Sequence, residues 1–82
     1  MTSSTEVAKC LAYAPRDVPV EIKRIRFESA VNKCADRGLH EGDTVRLIGA
    51  LPGHVLLMDA QGHRILLEQS VAVMIEVDRA QG

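Results

Sequence analysis

The first clear period along the chain begins at Val18. Val18-Pro19-Val20-Glu21-Ile22-Lys23 alternates apolar and polar side chains, which is the pattern of a strand with one buried face. Pro19 has no amide to give to a ladder, so it belongs at an edge or at a strand start. From Phe27 the period lengthens. Phe27, Val31, Cys34 and Gly38 fall at i, i+4, i+7 and i+11, with Ala30 and Ala35 alongside, and this spacing predicts a short amphipathic helix over about 28–37. Gly38 sits where a left-handed residue ends a helix, and Lys33 and Arg37 sit where cations favour the helix dipole.

Beyond the helix the signals are turns and short apolar runs. Glu41-Gly42-Asp43 marks a turn, Thr44 to Ile48 a strand, and Leu51-Pro52-Gly53 a second turn. Val55 to Met58 and Arg64 to Leu67 flank Asp59-Ala60-Gln61-Gly62, whose leading Asp and closing Gly suit a hairpin with a type I turn and a bulge. Ser70-Val71-Ala72 predicts a helical turn, and Met74 to Val77 the last strand. About five short strands with turns every eight to twelve residues predict a mainly β chain: a small, closed or nearly closed antiparallel barrel with one short α-helix after the first strand. Closure removes edges that would otherwise pair with other chains.

Composition narrows this picture. With 82 residues there is room for one domain, expected over 11–78, between a flexible tail at 1–10 and a short one at 79–82. Ten basic against eleven acidic residues give a net charge of −1, and only Tyr13 and Phe27 are aromatic. There is neither a positive field for a phosphate backbone nor a stacking platform for bases, so no nucleic-acid partner is expected. Cys10 and Cys34 are too few for a disulfide framework and read as reduced. No signal-peptide pattern opens the sequence and no apolar run approaches the ~18–20 residues a bilayer needs, so the expectation is a cytoplasmic protein with no direct membrane insertion.

Ala35-Asp36-Arg37-Gly38-Leu39-His40-Glu41-Gly42-Asp43-Thr44-Val45 resembles the pattern of the FeoA family: a helix end, Gly-Leu, two variable residues, Gly, and a β-branched strand. Ile65 to Glu68, Ala72 and Ile75-Glu76-Val77 are similar to the family's closing segment. The resemblance runs from about Leu11 to Val77 and implies an SH3-like barrel and a role in bacterial ferrous iron transport. In that pattern Gly38, Leu39 and Gly42 are structural: Gly38 ends the helix, Leu39 plugs the barrel and Gly42 lets the chain reverse. The chain departs from the family at Asp17, where relatives commonly have Gly, and at Leu51-Pro52-Gly53, where they have a Gly-Asp-Pro type connection.

No residue set suggests catalysis. Ser29 and Ser70 read as helix-start residues, and Glu21, Glu41, Glu68 and Glu76 as solvated charges, so no enzyme is expected. Cys10, Cys34, His40, His54 and His63 show no CxxC, HxxH or His-x-x-x-His spacing, and neither a metal site nor a cofactor is expected. Two patches remain as partner-binding candidates. They are the loop residues Leu51, Pro52 and His54, and the basic group Lys23, Arg24 and Arg26.

The resemblance implies a non-enzymatic accessory protein that docks onto the cytosolic part of a FeoB-type ferrous iron transporter. A second reading is a metal- or ligand-sensing regulatory module, since similar barrels form the C-terminal domains of iron-dependent repressors. A third is a general self-associating module, with weak homo-oligomers.

Overall fold

The computed structural model describes residues 9–80. The elements in chain order are β1 (Lys9–Cys10), a 3-10 turn (Leu11–Tyr13), β2 (Val20–Ile25), α1 (Glu28–Asp36), β3 (Thr44–Leu51), β4 (His54–Asp59), β5 (Arg64–Glu68), α2 (Gln69–Ala72) and β6 (Ile75–Arg79). Residues 1–8 of the expected tail lie outside the described residues. Its last two do not behave as a tail: Lys9 and Cys10 pair with Val77 and Glu76 of β6, because an edge strand there leaves fewer open amides on β6. At the other end Arg79 belongs to β6, where it faces Val20 of β2.

All six strands form one antiparallel sheet in the order β1-β6-β2-β3-β4-β5. The sheet is bent but not closed. Its two ends, β1 and β5, do not pair among the described residues, and the short strand β1 adds to the five that the sequence predicts. Two irregularities bend it: the register shifts in β2 between Ile22 and Arg24, and in β3 between Leu47 and Gly49. The first is fastened by the Glu41 carboxylate, which accepts the Ile25 amide at 3.0 Å. The second lets β3 continue to Leu51, three residues past its predicted end.

The helix ends as its sequence predicts. The Leu39 amide donates to the Cys34 carbonyl at 2.8 Å and the Gly38 amide to Ala35 at 2.9 Å, which is the pairing of a Schellman cap. Gly38 takes φ 79° to make it. This cap swings Leu39 back onto Cys34, and both side chains are fully buried. At the other end, Ser29 and Ser70 lie in the first turns of α1 and α2 without capping them; the N-cap positions are Phe27 and Glu68, neither with a side-chain cap bond.

Burial corrects the helix stripe. Ala30 and Cys34 face the core, whereas Phe27 and Val31 are 63% and 40% exposed. The core is aliphatic: every buried residue among those described is apolar, and Leu11, Ile22, Leu39, Leu57, Leu67 and Ile75 are its largest fully buried members. Leu11, in the 3-10 turn, belongs to this core, so the chain before β2 is part of the folded body.

Candidate functional site

The β3–β4 turn is built from Leu51-Pro52-Gly53-His54, with Leu51 and His54 paired across it. Proline at the second position and glycine with φ 75° at the third are what a type II turn requires. The His54 Nδ1–H donates to the Pro52 carbonyl at 3.2 Å, and the Gly53 carbonyl accepts the Gln69 amide at 2.9 Å. The turn is thus fixed from inside and from α2, while Leu51 points outward with 54% of its surface exposed. A rigid turn holding out an apolar side chain is a good docking knob.

The basic patch is partly neutralised. Lys23 pairs with Glu21 at 3.4 Å and Arg26 with Glu76 at 3.2 Å, which leaves Arg24 as the member without an ion pair among the described residues. Glu68 in turn pairs with Lys33 at 3.4 Å. The segment carrying α2 stands between the patch and the turn, tied to the turn by Gln69 and to the patch by the Arg26 amide, which donates to the Met74 carbonyl at 2.9 Å.

What lies between them escaped the sequence reading. A groove of about 360 Å³ runs between α1 and α2, lined by Phe27, Ser29, Ala30, Lys33, Val71 and Met74 among others. Phe27 stands at the groove with φ 44° and ψ 136°, a conformation that an L residue with a bulky side chain rarely adopts. Such a backbone costs on the order of 1–3 kcal/mol and persists only where the surrounding structure over-determines it. Here the Ala30 and Val31 amides both donate to the Phe27 carbonyl at 3.1 Å, and the Arg26 bond holds the preceding peptide. The sole phenylalanine of the chain is therefore held in solvent at an energetic cost. The signal available in the sequence was its place at the start of a helical stripe, and that argued for burial.

The titratable groups form local pairs. His40 Nδ1 lies 3.7 Å from Asp43 and His63 Nδ1 3.2 Å from Asp59, each within its own turn. The backbone amide of His63 bonds the Asp59 carboxylate and holds it below the usual Asp range, with the His63 ring and the Gln61 amide adding to the effect and desolvation opposing it. Burial pushes the Cys34 thiol up. Among the described residues no three His, Cys, Asp or Glu side chains gather as they would around a metal ion, and no helix is long and apolar enough to cross a membrane.

The family model of the FeoA domain matches residues 9–79. The chain belongs to the FeoA family. Among solved structures, a crystal structure of an iron uptake regulatory protein (FeoA) superposes with TM-score 0.76 at 18% identity, covering 89% of this chain and 97% of that one. The NMR structure of a FeoA-like protein from Clostridium acetobutylicum gives TM-score 0.76 at 25% identity, covering 100% and 93%. Two longer proteins share the fold over about a third of their length. The manganese regulator SloR gives TM-score 0.75 at 19% identity, with 88% of this chain on 34% of that one. ScaR with bound Zn2+ gives 0.77 at 22%, with 92% on 38%. A search of curated proteins returned no match. This FeoA domain thus has the mainly β, SH3-like fold that its sequence pattern implied, and of the closed or nearly closed barrel expected, the described residues form the open variant.

Proposed function

We propose that this FeoA domain is a non-enzymatic, cytoplasmic accessory protein of ferrous iron uptake, acting by docking onto the cytosolic part of a FeoB-type transporter. Family membership supports the transport context. The observation that carries docking is Phe27: an aromatic ring held out in water by a strained backbone, beside an apolar groove and across α2 from the exposed Leu51. Aromatic anchors of this kind dominate binding energy at protein interfaces. The rival reading, a metal-sensing regulatory module, draws on the fold shared with SloR and ScaR.

An amide-shift titration with the nucleotide-binding domain of the FeoB from the same organism, with ferrous ion as a separate arm, decides between them. Docking predicts saturable shifts at Phe27, Val31 and Leu51 to His54, and none from iron. Phe27→Ala keeps the backbone strain and removes the ring, so it should weaken binding about tenfold or more while leaving the thermal midpoint in place. No response to the domain, with stoichiometric loss of signal near the histidines on adding iron, would overturn docking in favour of metal sensing.

A further inference from the structure

The open end of the sheet carries a surface that neither the docking groove nor the fold requires. Among the described residues strand β5 (Arg64-Ile65-Leu66-Leu67-Glu68) pairs with β4 alone, in unbroken register from Met58↔Arg64 to His54↔Glu68. Two bonds fix which way its amides point. The Asp59 amide donates to the His63 carbonyl at 2.9 Å and the Gln69 amide to Gly53 at 2.9 Å, so the odd-numbered residues of β5 face β4. The amides of Arg64, Leu66 and Glu68 therefore point away from the sheet. The strand is short and carries a charge at each end, but between those charges it has no proline, no bulge and no lysine, and Leu66 is 42% exposed.

The strand is also complementary to itself. In an antiparallel pairing centred on Leu66, Leu66 meets Leu66 of the second copy, Ile65 meets Leu67, and Arg64 meets Glu68 on both sides of the axis. Arg64 has no ion pair among the described residues, so its guanidinium is available for that contact, and the Glu68 carboxylate, 3.4 Å from Lys33 within its own chain, takes it as a second cation. Cross-strand neighbours extend the match, since Leu56 of β4 stands opposite Leu66. The pairing then puts four leucines in a row across the joint, with a charge pair on either side.

We infer that β5 is a self-association edge: two copies of this chain pair β5 to β5 about a two-fold axis through Leu66, joining their sheets into one. The exposed arginine and glutamate set the register, and the free amides of Leu66 exchange bonds with their counterparts. One five-residue strand buries well under the ~1,200 Å² of a stable complex, so the dimer is weak and concentration-dependent.

Sedimentation equilibrium and amide hydrogen exchange from roughly 10 µM to roughly 1 mM test this. The expected result is a monomer–dimer equilibrium, with protection of the Leu66 amide rising with concentration while solvent-exposed turn amides such as Gln61 do not change. Arg64→Glu and Glu68→Arg each place like charges opposite one another twice per dimer, and each should raise the dissociation constant about tenfold; the double exchange should restore it. A monomer at every concentration would overturn the inference, as would a dimer indifferent to these changes or one that leaves Leu66 unprotected. So would an acidic extended peptide that protects Leu66 where a second copy does not. Because the exchange readout uses the unaltered protein, it decides even if a variant fails to fold.

Discussion

At the scale of single residues, two left-handed positions show how the same backbone demand is met differently. Gly38 adopts φ 79° with nothing within 4 Å of where a Cβ would sit, so the objection to a side chain there is conformational and not steric. Gly38→Ala should lower stability by about 1 kcal/mol, read as a lower denaturant midpoint at unchanged slope. Asp17 adopts φ 63° while its amide donates to Leu47 at 2.9 Å, and it bears the left-handed strain that a glycine would not. Asp17→Gly should therefore move the midpoint the other way, by about half a kcal/mol, the relief of the left-handed strain being partly offset by a more flexible unfolded chain. A fall in stability for Asp17→Gly would show that its side chain contributes more than its backbone costs.

At the scale of elements, the Schellman cap makes α1 and the core one unit. Leu39 is 1% exposed and lies directly after the cap, so its side chain is both the helix's anchor and a filler of the sheet's concave side. Leu39→Ala should cost about 2–4 kcal/mol, a large share of the ~5–10 kcal/mol expected for a domain of this size. Chemical denaturation measures it, and a loss below 1 kcal/mol would mean the plug is dispensable. This cap, the Asp59 to Gly62 hairpin and the succession of elements from β2 to β6 along the chain were legible in the sequence, because glycine and aspartate at turns carry a direct backbone reason for their place. The candidate site was less legible. The helical period of Phe27, Val31 and Cys34 speaks only of which residues share a face: of that stripe Cys34 is buried as expected, but Ala30 alongside it shares the core while Phe27 and Val31 are left exposed. The residues that α1 turns to the core, Ala30 and Cys34, are both small. Nor could the sequence foresee that the carboxylate of Glu41, sixteen residues from Ile25, would fasten a bulge.

At the scale of the molecule, an all-apolar interior means that its one buried thiol has no polar path to solvent. Cys34 is fully buried with its pKa raised by burial, whereas Cys10 is only partly covered in the two-residue strand at the sheet's end. Under native conditions a neutral thiol reagent should modify Cys10 at least about a thousandfold faster than Cys34, whose reaction requires global unfolding. Mass-spectrometric mapping of a labelling time course checks this. Equal rates would instead reveal that α1 opens on its own.

The pairing of Lys9 with Val77 brings the two ends of the described chain to neighbouring strands, about 5 Å apart at that pair. Tension applied through the two ends would load β1 and β6 by peeling, one bond at a time, and not by shear along the whole ladder. Such a joint gives way at low force and re-forms readily. The same geometry lets the domain sit between two points of a larger assembly while adding almost nothing to the distance between them.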